Sequence, residues 1–257
     1  MKINREEVSA IFRNCGVSQG DMVFLHSEAL VALVALAGDD INQKIDTLFG
    51  GITDLLGLEG TLVLPTFTHS ATKGEVYNVQ QTKSDVGLLT EFFRKRPGVK
   101  RSLNPIFSVA ACGSKADVFS RSSANDCFGH DSCFGLIYKY NSWIFTLGCS
   151  FDRITFIHYL DQIASVDHRY FKTFPATVLN FSDLQTFDVS YLVRDINRKT
   201  KPKMDNLKHR LIQYGKIQNA EIGRAFLTGV KANDFYNTAL EMIKEDPNTH
   251  IEEGYEI

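Results

Sequence analysis

Three short runs in this chain are almost wholly apolar: Met22-Val-Phe-Leu25, Thr61-Leu-Val-Leu-Pro65 and Trp143-Ile-Phe-Thr-Leu147. Runs this short are strand-sized, and apolar side chains on both sides mean that both faces of the strand are covered. Between them the spacing turns helical. Ile41, Ile45, Leu48, Phe49, Ile52, Leu55 and Leu56 mark a helix over 41–56. A second helix is expected over 4–14, ended by Cys15-Gly16, and a third over 86–96, closed by Pro97-Gly98. Residues 107–112 read as another strand. Strands alternating with helices predict an α/β sheet within a single domain spanning 1–257. Residues 174–179 and 187–193 read as an antiparallel pair, making 165–215 a smaller appendage. The spacing over 221–230 and over 233–244 is helix-like.

The composition is that of an ordinary globular protein. Of 257 residues, 44% are hydrophobic and 23% charged, enough to bury a substantial core. A formal net charge of −2 argues against a dedicated nucleic-acid binder, which is usually strongly basic. No apolar run reaches the ~18 residues needed to span a bilayer, and the charged start Met-Lys-Ile-Asn-Arg-Glu-Glu lacks the apolar core of a signal peptide. The cysteines (Cys15, Cys112, Cys127, Cys133 and Cys149) form no CxxC pair, so they read as core residues of a reduced, cytoplasmic protein. Small molecules are the expected partners, with a homodimer as an open option.

The most informative segment for chemistry runs from Leu147 to Asp161. A strand passes through Gly148 into a helical pattern that spaces Thr155, His158 and Asp161 at i, i+3 and i+6, on one helix face. A carboxylate can hold an imidazole tautomer, the imidazole can take a proton, and a hydroxyl can donate to an oxygen that gains charge. By spacing alone, a histidine on a helix stripe is more often a satisfied structural residue than a base. Cys149 is close in sequence, but nothing beside it lowers its pKa. The His26-Ser27 turn after a strand offers N–H groups to a phosphate or an extended ligand, or serves as an ordinary helix cap. No GxGxxG or Walker pattern occurs, which argues against a dinucleotide or P-loop site. A metal hydrolase built on His26, His69, His130, His158 and Asp161 is a rival reading, although those histidines show no HxH or HExxH spacing and no metal is expected. Two basic runs stand out: Arg94, Lys95, Arg96, Lys100 and Arg101, and a second from Arg198 to Arg210 in the appendage.

Five segments, in order, carry a resemblance: Val23-Phe-Leu-His-Ser27, Gly60-Thr-Leu-Val-Leu-Pro-Thr-Phe-Thr68, Arg101-Ser-Leu-Asn-Pro-Ile-Phe-Ser-Val109, Phe128-Gly-His-Asp-Ser-Cys-Phe-Gly135 and Gly148 to Asp161. Together they resemble the aminoglycoside 3-N-acetyltransferase family. The likeness implies α/β/α layers around a central mixed sheet with a small antiparallel β appendage. It implies acyl transfer from coenzyme A to an amine, with His158 as general base, Asp161 as its orienting carboxylate and Thr155 facing the oxyanion. It further implies coenzyme A contacts from His26, Ser27, Arg101, Ser102 and Val109, and substrate contacts from Thr66, Thr68, Asn104 and Phe134. Two positions depart from the family pattern. Asn104 replaces a usual histidine, and Asp161 replaces a usual glutamate one methylene longer, so Asp161 reaches His158 only if the helix or a water closes the gap. If those departures were disabling, the chain would be a binding protein without activity. Because the largest insertion is basic and the acidic residues cluster in the tail (Glu241 to Glu256), the preferred acceptor is a nucleotide-linked (dTDP-linked) amino-dideoxy sugar of surface polysaccharide synthesis. An aminoglycoside antibiotic is the alternative, as a polycation that calls for carboxylates.

Overall fold

The computed structural model describes residues 2–198 and 200–252, without the side chains of 29–31. Lys199 of the second basic run and the last acidic residues of the tail therefore lie outside the described residues. The strands are β1 (Met22–Ser27), β2 (Thr61–Pro65), β3 (Tyr77–Asn78), β4 (Lys100–Arg101), β5 (Val109–Gly113), β6 (Trp143–Leu147), β7 (Arg169–Asn180), β8 (Asp183–Arg194), β9 (Gln218–Ile222) and β10 (Ala225–Lys231). The helices are α1 (Arg5–Asn14), α2 (Ala29–Ala35), α3 (Ile41–Leu56), α4 (Ser70–Lys73), α5 (Leu88–Phe93), α6 (Ala116–Ser120), α7 (Cys133–Lys139), α8 (Ile157–Ile163), α9 (Asp205–Gln213) and α10 (Ala232–Glu245), with a 3-10 turn at Phe151–Arg153.

Seven strands form the central mixed sheet in the order β4-β5-β2-β1-β6-β10-β9. The three apolar runs are its middle: β1 pairs parallel with β2 on one side and with β6 on the other. The outer strands β5 and β10 run antiparallel to this trio. Because side chains alternate along a strand, each interior strand feeds two cores. Phe24, Val63 and Ile144 point to one face, which α7, α8 and α10 cover. Val23, Leu25, Leu62, Leu64, Phe145 and Leu147 point to the other, which α1 and α3 cover. Burying side chains of this size is worth roughly 1.5–3 kcal/mol each, which is why this trio anchors the molecule.

Local chemistry sets the helix ends. Asn4 and Glu7 close a reciprocal capping box at the start of α1, and Asp40 accepts from the Gln43 N–H at 2.9 Å to begin α3. Gly51 sits inside α3 despite its poor helix propensity because α1 crosses there; a Cβ on it would meet the Val8 Cβ at 2.6 Å.

Two expectations need correction. Residues 221–230 are not helical: Ile222 pairs with Ala225 across Gly223, whose φ is 64°, so β9 and β10 form a tight hairpin. Thr228 and Val230 favour a strand, and a Cβ at Gly229 would meet the Phe145 ring at 2.1 Å, so the apolar spacing reflects packing on β6. The appendage pair is antiparallel as expected, β7 against β8, and β3 from outside it joins β7 in parallel. Finally, α8 begins at Ile157, so Thr155 lies in the turn ahead of it and the three-residue helical stripe is broken.

Candidate active site

In sheets of this kind, ligand crevices lie beyond the carboxyl ends of the parallel strands. A cleft of about 580 Å³ is found there. His26 and Ser27 at the end of β1, Pro65 at the end of β2, and Cys149, Arg153 and Thr155 after β6 form its walls, with His158 from α8. The small sheet closes one side through Tyr191.

His158 and Asp161 face each other one helical turn apart. His158 Nδ1 lies 2.9 Å from Asp161 Oδ2. The shorter aspartate therefore reaches the ring directly, and no water is needed. A carboxylate only accepts hydrogen bonds, so Nδ1 carries the hydrogen and Nε2 is the nitrogen left with a lone pair. The Phe128 ring packs edge-on at 5.4 Å and fixes the imidazole plane. Burial is the main reason the His158 pKa falls, to about 4; the positive charge of Arg169 pushes the same way, and Asp161 opposes both. Asp161 is 1% exposed. Burial alone would raise its pKa, but hydrogen bonds from His158 and His250 outweigh it and hold the carboxyl below its usual range.

The rest of the cleft wall carries groups with unused hydrogen-bonding capacity. His26 is buried against Phe24, its Nε2 has no partner among the described residues, and burial takes its pKa to about 3. Ser27 Oγ is likewise buried without a partner. Thr155 makes only a 3.4 Å contact to the Arg153 carbonyl. Buried polar atoms without partners are uncommon and suit a site that a ligand completes. Cys149 lines the cleft, but burial raises its thiol to about 11, leaving it a poor nucleophile. His69 of the metal reading also lines it, as do Glu28 and Asp85, which carry no motif; Asp85 is held by Lys73 at 2.8 Å.

The other expected contact residues are not gathered in this cleft lining. Arg101 is buried and committed: its guanidinium donates to the carbonyls of Thr66 (2.6 Å), Thr82 (2.6 Å) and Val79 (3.2 Å) and to Thr66 Oγ (3.1 Å). It pins loops rather than offering a free cation for phosphate. Ser102 Oγ accepts from the Val109 N–H at 2.9 Å, and both residues are fully buried. Thr66 donates to the Ser108 carbonyl and Thr68 to the Pro105 carbonyl. Asn104 Oδ1 accepts from the N–H groups of Ile106 (3.0 Å) and Phe107 (2.8 Å). Phe134 is a core residue against Phe24. These motif positions build the loops behind the cleft.

Two groups behind Asp161 had no signature in the sequence. Arg169 Nε lies 2.8 Å from Asp161 Oδ2 and His250 Nε2 lies 2.7 Å from Oδ1. With His168, Asp161 and His250 place ligand-type atoms within 4.8 Å of one another, and no three of His26, His69, His130, His158 and Asp161 do so among the described residues. Arg169 already supplies the positive charge beside the carboxylate, so the group reads as an ion-paired network.

A family model described as aminoglycoside 3-N-acetyltransferase matches residues 32–244. Aminoglycoside N(3)-acetyltransferase IX of Micromonospora chalcea is 21% identical over 270 residues, covering 94% of each chain. The structure of AAC-VIa bound to sisomicin superposes with a TM-score of 0.80 at 19% identity, over 95% of this chain and 98% of that one. AAC-IIIb, solved as a binary complex with CoASH, gives 0.79 at 18% identity, over 95% and 97%. These findings overturn the nucleotide-sugar expectation, which rested on the distribution of charge along the sequence. They favour the alternative acceptor instead. The chain belongs to the aminoglycoside 3-N-acetyltransferase family.

Proposed function

We propose that this chain, by family a CoA-dependent N-acyltransferase, transfers the acetyl group of acetyl-CoA to an amino group of an aminoglycoside. The observation that carries the reading is a cleft-lining imidazole whose Nδ1 is tied to a buried carboxylate 2.9 Å away. Family membership and the aminoglycoside named for the sisomicin-bound relative support the acceptor class. The donor, acetyl-CoA, supplies an activated carbonyl. His26 Nε2 and Ser27 Oγ, buried without partners, and Arg153 are the cleft residues suited to hold it.

His158 Nε2 accepts the proton that the attacking amine must lose. With its pKa lowered to about 4, the ring is in the basic form throughout the neutral range. Asp161 keeps the hydrogen on Nδ1 and stabilises the imidazolium that forms. The hydroxyls of Thr155 and Ser27 are donors for the carbonyl oxygen as it gains charge. The cleft lining also holds the carboxylates of Glu28 and Asp85, the groups a polycationic acceptor needs. Cys149 stays a thiol, so direct attack needs no acyl-enzyme step.

The test is product analysis. Purified protein incubated with acetyl-CoA and, separately, sisomicin, gentamicin and kanamycin should yield a singly acetylated antibiotic by mass spectrometry, with one thiol released per product. Thiol release that no aminoglycoside stimulates would refute the acceptor assignment.

A further inference from the structure

A buried carboxylate stays ionised only if charge and hydrogen bonds surround it. Asp161 is so surrounded, and its partners come from three places in the chain. His158 on α8 and Arg169 at the start of β7 both approach Oδ2, at 2.9 and 2.8 Å. The Arg169 N–H is not aimed along the line to the oxygen, so this contact is an ion pair rather than a hydrogen bond. The other oxygen, Oδ1, is left to His250, whose Nε2 lies 2.7 Å away. His250 follows α10 and is buried. The segment around it folds back onto residues 201–203: the Lys203 N–H donates to the His250 carbonyl at 2.9 Å, and the Glu252 N–H to the Lys201 carbonyl at 2.8 Å. Among the described residues His250 Nδ1 is buried without a partner, which fits a ring that donates through Nε2. His250 lies beyond residues 32–244, so the family match does not reach it.

We propose that His250, with Arg169 beside it, is a positioning residue for the base: it donates to the Asp161 oxygen that His158 leaves free and so fixes the proton arrangement of the whole chain of groups. The tautomer of His158 follows the charge of Asp161. An ionised Asp161 forces the hydrogen of His158 onto Nδ1 and leaves Nε2 able to accept. A protonated Asp161 could donate to Nδ1 instead, which moves the ring hydrogen to Nε2 and removes the acceptor. The groups facing this pair are Arg169, His168 (Nε2 4.0 Å from Oδ1) and His250, with Asp167 behind His168 at 4.0 Å and Arg198 on Asp167 at 3.6 Å. Of these, only His250 hydrogen-bonds to Oδ1.

This proposal rests on His158 being the base, and two variants of one residue test it separately. In His250→Gln the amide nitrogen occupies the place of Nε2 and can still donate; in His250→Asn it is too short. The full-length Asn variant should lose roughly ten-fold in kcat, a part of the ~10²–10⁴ that a positioned base supplies. Both KM values should stay near wild type. The acid limb of its kcat/KM profile should move to higher pH, because Asp161 without a donor takes its proton more readily. The Gln variant should return to within a few-fold of wild type with the limb restored. Equal kcat and equal profiles for Asn, Gln and wild type would overturn the proposal, even with His158→Ala inactive. An active His158→Ala would instead overturn the base assignment beneath it. One equivalent of zinc in the purified protein, lost in His250→Gln, would also overturn it by making His250 a ligand rather than a donor.

Discussion

Two buried polar clusters lie within this fold, and they serve opposite ends. Around Arg101 and Asn104, every strong donor or acceptor already has a protein partner: the guanidinium holds Thr66, Val79 and Thr82, and the Asn104 side chain holds the turn at Ile106 and Phe107. Around His158, the hydrogen bonding runs one way, from the protein interior outward, and ends on groups with capacity left over. Asp161 is saturated, His158 uses one nitrogen, and His26 Nε2 and Ser27 Oγ use none. Completed networks hold structure, whereas incomplete ones at a cleft are where a substrate fits. A motif in a sequence does not distinguish the two.

That contrast can be broken by mutation. The largest effect should come from His158→Ala, which is expected to cut kcat by about 10²–10⁴-fold while the melting temperature stays within a few degrees. Arg101→Met should do the reverse. It removes the guanidinium donor from the Val79 and Thr82 carbonyls, at roughly 1–3 kcal/mol for each group stranded, so chemical denaturation should show a clear loss of stability while kcat per folded molecule is nearly unchanged. A large drop in kcat at full stability for Arg101→Met would put that residue back in the cleft chemistry. Asn104→Ala should cost less, about 2 kcal/mol for two orphaned N–H groups, and Asn104→Asp less again because the acceptor survives.

Acid should sharpen the comparison further. Burial lowers the pKa values of His26 to about 3 and of His158 and His168 to about 4, against an ordinary value of 6.5. Between pH 6.5 and about 4 the unfolded chain binds protons that the folded one refuses, so stability must fall as pH drops through that window. Each histidine contributes roughly 1.4 kcal/mol per pH unit. Replacing His168, whose ring nitrogens have no hydrogen-bond partner among the described residues, by leucine should flatten the slope by one proton. An unchanged slope would mean that His168 is charged in the native state.

Much of this was legible in the sequence, for identifiable reasons. The α3 boundaries and the three interior strands follow from apolar periodicity, because burial on one face or both leaves a periodic trace. The His158–Asp161 contact is a helical i, i+3 relation and so is visible locally. Thr155 misled because the helix starts two residues after it. Residues 221–230 misled because a strand packed on Phe145 borrows an apolar spacing that a helix can also show. Arg101 and Asn104 looked like ligand-binding residues because a motif records which residues are present, not which of their hydrogen bonds are already made. Arg169 and His250 left no trace, since their meeting at Asp161 spans up to 89 residues of sequence and exists only in the folded chain.

The central claim is that His158 presents a bare Nε2 to the cleft at neutral pH. Nitrogen-15 NMR of labelled histidine, with the His158 signal identified by its loss in His158→Gln, measures this directly. The account predicts a hydrogen on Nδ1, none on Nε2, and no protonation until the pH falls well below 6. A ring protonated on Nε2 at pH 7, or one that titrates near 6.5 like a histidine in water, would contradict it.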